Sequence, residues 1–285
     1  MKAQIQLSGL GDEAGSDIHT QIRAHRELGW TCIDLRAIDG VNVTMMDDAA
    51  FERAAAAIDE SGLHVTNLAS GICCWGRSVR DDFALDLQEM SRAIGRMRRL
   101  RCPTLRVMSC PAPAGADIPQ DEFGREAFRR LGELSRIAAG EGIVLVHEQV
   151  SSAWSGEDPG RMLQLVETIN CPAFRLLLDL ANFSGQSPGA ESWAAYQKVK
   201  RYVAYVHLKD RAASGAAAWF GEGVIPVRRL LTALRDDGYT GVLSMEPHVA
   251  AIHHTGQRAS PQVLYDSYLR NARKVQAIVR EVFGE

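Results

Sequence analysis

Short apolar runs alternate with amphipathic segments along the whole chain. The runs are rich in leucine and β-branched residues and are apolar on both faces, as buried parallel strands must be. Eight such runs are expected to form strands: Gln4–Leu7, Cys32–Leu35, His64–Leu68, Thr104–Met108, Ile143–Val146, Phe174–Leu178, Val203–Val206 and Val242–Met245.

The segments between these runs repeat their apolar residues at helical spacing. Asp47 or Asp48 and the pair Asp158–Pro159 are typical helix starts, and Gly62 is a typical stop. Regular alternation of strand and helix predicts an α/β fold, the (β/α)8 TIM barrel. A doubly wound sheet would need a glycine-rich phosphate turn, and residues 8–12 are too sparse in glycine for one. No linker divides the chain, so we expect a single TIM-barrel domain over residues 1–285.

Charge and composition exclude several classes of partner. The net charge of −3 argues against a nucleic-acid partner, because a surface that follows phosphates needs a basic excess. The basic stretch from Arg96 to Arg101 is interpreted as a solvated helix face. No apolar run is long enough to span a membrane, and the first residues lack a signal-peptide pattern. The six cysteines show no CxxC pair, so we expect buried thiols in a cytoplasmic protein.

Four acidic or imidazole side chains lie near the ends of four successive predicted strands. They are Glu148 in IVLVHEQ, Asp179 in RLLLDLANF, His207 in VAYVHLKD and Glu246 in GVLSMEPH. The active site of a TIM barrel lies at the carboxyl ends of its strands. A single carboxylate there is often a helix cap, but four equivalent positions predict one divalent metal ion. Mn²⁺ is preferred, and Co²⁺, Mg²⁺ or Zn²⁺ are possible.

Beyond these residues, the chain resembles a known family. The motifs HEQ, LDLANF, HLKD, GEG and MEPH, and the opening GDEAGSD…ELGWTCIDLR, resemble the xylose isomerase-like superfamily of TIM barrels. This group of sugar phosphate isomerases and epimerases includes ketose 3-epimerases, hydroxypyruvate isomerase and inosose dehydratase. The resemblance implies that Glu148, Asp179, His207 and Glu246 bind one metal, commonly Mn²⁺, and that the two glutamates form the acid/base pair. It also implies a small-molecule carbohydrate substrate and a homodimer or homotetramer.

The chain departs from the ketose 3-epimerases at two positions. Those enzymes usually have a histidine three residues after the metal aspartate, where this chain has Asn182. They place another glutamate about six residues after the first metal glutamate, where this chain has Trp154. Arg211 follows HLKD and resembles a substrate-binding arginine of the family. We therefore expect these residues in the substrate site, but not 3-epimerase specificity.

Other side chains are candidates for substrate contact. Arg36 ends the second strand and would bind a substrate oxygen or form a surface ion pair. Lys209 and His248 each follow a predicted metal ligand by two residues and share its face. Trp75, Trp154 and Trp219 would wall a sugar ring or seal packing. We expect His147 in the core and the adjacent His253 and His254 in an exposed loop.

These observations lead to one main functional hypothesis. The chain would be a metal-dependent isomerase or epimerase of a sugar or related polyhydroxy carbonyl compound. Glu148 and Glu246 would act as the two bases through a metal-bound enediolate. The alternative is a metal-dependent lyase or dehydratase acting on a keto-sugar or inosose. Two further alternatives are a DNA-repair enzyme like endonuclease IV and a non-catalytic sugar-binding barrel.

Overall fold

Eight parallel strands form a barrel wall in the computed structural model, which describes residues 5–74, 76–113, 118–252 and 257–284. Trp75, His253 and His254 lie outside the described residues. The barrel strands are β1 (Gln6–Gly9), β2 (Cys32–Leu35), β3 (His64–Ala69), β4 (Thr104–Val107), β5 (Val144–Glu148), β6 (Phe174–Asp179), β7 (Val203–Leu208) and β8 (Val242–Met245).

The strands are hydrogen-bonded in the order β1–β8–β7–β6–β5–β4–β3–β2. Between β1 and β2 the pairing is reduced to a parallel bridge from Leu10 to Asp34, which nearly closes the sheet on itself. The predicted (β/α)8 barrel is therefore confirmed. Parallel strands buried on both faces explain why their sequences are continuous apolar runs rather than alternating ones.

A helix follows each strand and covers the barrel. The helices are α1 (Ile18–Glu27), α2 (Asp48–Ser61), α3 (Ala84–Leu100), α4 (Gln120–Glu141), α5 (Pro159–Ile169), α6 (Pro188–Val199), α7 (Val227–Asp236) and α8 (Pro261–Phe283). None of the described helices is both long and apolar enough to cross a bilayer. Two short ribbons (Ala37–Ile38 with Val41–Asn42, and Ala251–Ile252 with Gln257–Arg258) and two 3-10 turns (Gly11–Glu13 and Lys200–Tyr202) complete the described elements.

Local hydrogen bonds set the helix ends. Asp47 accepts from the backbone N–H of Ala50 at the start of α2, and Asp158 caps α5 in the same way. Gly62 ends α2 with a φ of 74°, a left-handed conformation that favours glycine. At the start of α3, Asp82 accepts from the backbone N–H of Ala84.

The basic stretch at the end of α3 is only partly solvated. Arg99 is partly exposed and pairs with Glu52 and Asp59 at 3.0 and 2.7 Å. Arg96 is 3% exposed and donates to the backbone carbonyls of Val43 and Met46 in the loop before α2. The expectation of a solvated face is therefore wrong for Arg96, because its guanidinium satisfies carbonyl groups that this loop would otherwise bury unpaired.

A buried carboxylate lies inside the barrel. Asp34 on β2 accepts hydrogen bonds from the hydroxyls of Ser8, Thr66, Tyr205 and Ser244 at 2.5–2.9 Å. None of the described basic residues forms an ion pair with Asp34. Four hydroxyl donors thus replace the solvation that its carboxylate loses on burial.

Candidate metal centre

The barrel brings four predicted ligand residues to one place. Glu148 and Asp179 are the last residues of β5 and β6, His207 lies one residue before the end of β7, and Glu246 directly follows β8. Their ligand atoms all lie within 4.8 Å of one another. Each of the four residues is at most 3% exposed. Adjacent parallel strands end at one edge of the wall, which is why residues so far apart in sequence converge.

Three carboxylate oxygens face one imidazole nitrogen. His207 Nδ1 lies 3.4 Å from Glu148 Oε1, 3.3 Å from Glu246 Oε2 and 3.9 Å from Asp179 Oδ2. We call these three atoms the inner oxygens. Nδ1 is buried and has no hydrogen-bond partner among the described residues. A buried nitrogen that forms no hydrogen bond and faces three hard oxygen donors fits a divalent cation such as Mn²⁺ or Mg²⁺.

The second oxygen of each carboxylate is held from outside the cluster. Glu148 Oε2 accepts from Arg106 Nη1 at 3.1 Å. Glu246 Oε1 accepts from Arg36 Nη1 at 2.7 Å. Asp179 Oδ1 accepts from two backbone N–H groups of the following loop, at 2.7 and 3.1 Å. We call these the outer oxygens, and all three are engaged by donors that fix the carboxylate orientation.

An ammonium and an amide connect the inner oxygens. Lys209 Nζ lies 3.0 Å from Asp179 Oδ2, 3.2 Å from Glu246 Oε2 and 2.9 Å from Asn182 Oδ1. The amide nitrogen of Asn182 donates to Glu148 Oε1 at 3.2 Å. Lys209 and Asn182 therefore offset part of the repulsion between carboxylates that lie close together in the interior.

These charges shift the proton affinities of the cluster. Burial alone would lower the pKa of His207, but the negative charges of Glu246 and Glu148 outweigh it and raise that pKa to about 10. Burial would raise the pKa of Glu246, but Lys209 and His248 hold it well below its usual range. Without a metal the centre therefore pairs an imidazolium with ionised glutamates, which is the charge pattern of a cation site.

A cavity of about 440 Å³ opens onto the centre. Five of the six predicted substrate-binding residues line it: Arg36, Asn182, Lys209, Arg211 and His248. Both glutamates also line it, as does Arg106, which the sequence had not indicated. Asp179 and His207 are completely buried behind this wall. A small molecule in the cavity would therefore reach the glutamates and Lys209 directly.

Arg36 belongs to a buried ion-pair group rather than to the surface. Its guanidinium contacts Asp12 at 2.9 Å and Glu13 at 3.2 Å, besides Glu246. His248 Nε2 lies 3.3 Å from Glu13 Oε1 and 3.4 Å from Glu246 Oε1. Asp12 and Glu13 were not expected in the site, although the opening motif GDE contains both. This group holds Glu246 from the side of β1 and β2.

Arg211 is bound differently from the other basic residues of the cavity. Its terminal nitrogens donate to the backbone carbonyls of Ala181, Phe183 and Gly215. Its Nε is buried and has no partner among the described residues. None of the described carboxylates forms an ion pair with Arg211, so backbone carbonyl groups rather than carboxylates hold its guanidinium at the cavity wall.

Comparison with known proteins identifies the family of this chain. Residues 22–267 match the family model described as the xylose isomerase-like TIM barrel. The chain belongs to this family. A stretch of 102 residues is 40% identical to 2-epi-5-epi-valiolone 7-phosphate 2-epimerase from Actinoplanes sp., covering 35% of this chain and 34% of that protein. The chain thus matches about a third of the length of this curated relative.

Solved structures of low sequence identity share the fold of this xylose isomerase-like barrel. D-psicose 3-epimerase with D-tagatose from Clostridium cellulolyticum H10 is 16% identical, with a TM-score of 0.76 over 98% of this chain and 99% of that one. A xylose isomerase-like TIM barrel protein from Mycobacterium smegmatis in complex with magnesium is 18% identical, with a TM-score of 0.69 over 96% and 97% of the two chains.

One candidate does not reach the cavity of this xylose isomerase-like barrel, and an unexpected residue does. Trp154 is 6% exposed, donates to the carbonyl of Gln120 and packs edge-on against Phe128, so it seals the outer layer instead. Glu157 lines the cavity and accepts from the N–H and hydroxyl of Ser184 at 2.6 and 2.8 Å. The sequence contains one indication of this role, because Glu157 is the only carboxylate residue between Glu148 and the helix cap Asp158.

Two further residues of the sequence analysis lie away from the cavity. The guanidinium of Arg270 stacks over the Trp219 ring, with Cζ 4.3 Å from the ring centroid. Trp219 does not line the cavity. His147 is completely buried beside Phe174, as expected for a core residue. Both ring nitrogens of His147 lack a hydrogen-bond partner among the described residues. Burial lowers the pKa of His147 to about 4.

Proposed function

We propose that this chain is a divalent-metal-dependent epimerase or isomerase of a sugar or a related polyhydroxy carbonyl compound. The observation that carries this proposal is the set of three inner oxygens that face the buried Nδ1 of His207 at 3.3–3.9 Å. The relatives support it, since the curated one is a 2-epimerase and one solved structure is a sugar 3-epimerase.

In this proposal Glu148, Asp179, His207 and Glu246 hold the metal, with Mn²⁺ as the preferred ion. When bound, the metal supplies Lewis acidity to a substrate carbonyl and its neighbouring hydroxyl. The charge of three carboxylates and one imidazole suits a divalent ion. Lys209 lies on the cavity wall, where its ammonium already donates to Asp179, Glu246 and Asn182, and its positive charge attracts a substrate oxygen.

Glu148 and Glu246 carry the protons in this proposal. They extend from β5 and from the end of β8, and both line the cavity. One glutamate removes the proton from the carbon beside the carbonyl, which leaves an enediolate. Return of a proton to the other face of that carbon gives an epimer, and return to the neighbouring carbon gives an isomer. The lowered pKa values of both glutamates keep them ionised before substrate binds. The glutamate that removes the proton becomes protonated, and for epimerisation the other glutamate takes from solvent the proton that it returns to the opposite face.

The rest of the cavity lining suits a polyhydroxy ligand. Arg211 offers a guanidinium without a carboxylate partner in the described structure, and the amide oxygen of Asn182, which accepts from Lys209, has a second lone pair for a substrate hydroxyl. Glu157 offers a carboxylate that accepts from hydroxyl groups. A cavity of about 440 Å³ has the size of a small-ligand site. We propose that these residues bind the sugar hydroxyls.

Metal content tests the first part of this proposal. Protein purified without chelator and reconstituted with Mn²⁺ is analysed by elemental mass spectrometry, beside Glu246→Gln and Glu222→Gln variants. Glu222 is the matched control, because it is exposed and pairs with Lys274 on α8. We expect about one ion per chain in the wild type and the control, and weaker retention in Glu246→Gln. Wild-type protein that retains no ion would refute metal dependence.

Proton exchange tests the second part. The metal-loaded protein is incubated with a panel of ketoses and inososes in D₂O, and carbon-bound deuterium is followed by NMR and mass spectrometry. Incorporation of deuterium at the carbon next to the carbonyl, in a product that otherwise has the mass of the substrate, supports epimerisation or isomerisation. Loss of water from the product supports the lyase alternative, which shares the first proton abstraction. Bound metal and ligand without any exchange would leave a sugar-binding barrel.

A further inference from the structure

We propose that Arg106 and Arg36 are positioning residues that restrict Glu148 and Glu246 to one metal-bound oxygen each. This inference rests on the proposed function, because it concerns how the glutamates would hold the metal. By holding the outer oxygens, the two arginines keep two coordination positions open for the substrate.

The division into inner and outer oxygens is the first support. A carboxylate can bind a cation through one oxygen or through both. Glu148 turns Oε1 toward His207 and gives Oε2 to Arg106. Glu246 turns Oε2 toward His207 and gives Oε1 to Arg36. Two glutamates from different strands thus share one arrangement, although their arginines come from β4 and from the end of β2.

The arginines are themselves fixed. Arg36 also donates to both oxygens of Asp12, at 2.9 and 3.1 Å, so its guanidinium plane cannot follow a rotating Glu246 without breaking ion pairs. Arg106 is 3% exposed, and its second terminal nitrogen lies 3.3 Å from the carbonyl oxygen of Ser70. Glu148 and Glu246 are therefore held by groups with little freedom of their own.

This arrangement leaves coordination positions on the metal for the substrate. Three inner oxygens and the imidazole of His207 supply four ligand atoms. An octahedral ion of the Mg²⁺ type has about six positions, so about two remain. A carbonyl and its neighbouring hydroxyl need two positions to chelate the same ion. If Glu148 or Glu246 bound through both oxygens, it would occupy a position that the substrate needs.

The experiment counts water on the metal and needs no substrate. The wild type and an Arg106→Met variant are loaded with Mn²⁺, and metal-bound water is counted by water-proton relaxation and ¹⁷O electron–nuclear double resonance. We expect about two waters in the wild type and about one in Arg106→Met, because the released Oε2 of Glu148 replaces a water. Arg130→Met is the matched control, since Arg130 is equally buried but lies outside the cavity. It should keep about two waters.

A rescue experiment and a second variant distinguish this positioning role of Arg106 from a general structural role. Added guanidinium ion should restore the second water in a further Arg106→Ala variant, because alanine leaves the whole space of the guanidinium group empty. Arg106→Gln, the second variant if Arg106→Met does not fold, should also show about one water, since its amide ends two atoms short of the terminal nitrogens. Bound Mn²⁺ with the same water count in the wild type and the Arg106→Met and Arg106→Gln variants overturns this inference alone. A wild type that binds no Mn²⁺ overturns it together with the proposed function.

Discussion

The ammonium nitrogen of Lys209 lies 3.0 Å from Oδ2 of Asp179, the oxygen that faces His207 Nδ1. Lys209 is thus a counter-charge within the candidate metal centre and also part of the cavity wall. Burial opposes its charged form, but Asp179 and Glu246 outweigh burial and raise the pKa of Lys209. The ammonium is therefore charged throughout the neutral range and offsets carboxylate repulsion when no metal is bound.

Replacing Lys209 by Met should destabilise the metal-free protein. Removal of one partner from a buried ion pair leaves an uncompensated charge, and we expect the free energy of unfolding to fall by about 3 kcal/mol. Added Mn²⁺ should raise the melting temperature more in Lys209→Met than in the wild type. Calorimetry with and without Mn²⁺ measures both effects. The control is Lys200→Met, because Lys200 forms an exposed pair with Asp237 that is worth less than about 1 kcal/mol. Equal losses in the two variants would contradict the assigned role.

Replacing Asp34 by Leu should be among the more damaging single changes in the barrel. It would leave four buried hydroxyls without their acceptor, at a cost of about 3 kcal/mol or more. Tyr205→Phe removes one donor and should cost about 1 kcal/mol. Urea unfolding of both variants, with the exposed Asp236→Asn as control, checks this order. A loss in Asp34→Leu no larger than in Tyr205→Phe would refute it.

His147 should make the protein less stable in mild acid. Its pKa is about 4 when folded, because burial disfavours the charged ring, against an ordinary value of 6.5. The unfolded chain then binds more protons between these values, so this contribution to stability is lost as pH falls from about 6.5 to 4. The total loss is about 3 kcal/mol. His147→Leu should flatten this part of the pH–stability curve. An unchanged slope in the variant would show that another group causes it.

Glu157 and Trp154 should respond differently to substitution. For a ketose that exchanges in D₂O, Glu157→Gln should raise KM about tenfold, the effect of about 1.4 kcal/mol of lost binding. Trp154→Phe should leave KM unchanged and lower the melting temperature, because its ring packs against Phe128 rather than lining the cavity. Steady-state kinetics and thermal unfolding of both variants measure this. A raised KM in Trp154→Phe would contradict this assignment.

The sequence by itself determined the barrel and the place of its site. Continuous apolar runs identify strands buried on both faces, and their alternation with amphipathic helices leaves few architectures. Polar residues at the ends of four successive runs then had to meet at one edge of the wall, as Glu148 and His207 do. These inferences needed only local pattern and the general geometry of parallel strands.

Tertiary structure alone decided which atoms face one another. Arg106 in TLRV and Asp34 in CIDL stand out in the sequence as charges within buried strands, which burial disfavours unless they find partners. Their partners are set by contacts across the barrel, 42 residues away for Arg106 and up to 210 for Asp34. Glu157 reaches the cavity, and Trp154 does not, because of the path of one irregular loop. Such contacts depend on the closed barrel and on loop geometry at the scale of an ångström, which the periodicity of one chain does not encode.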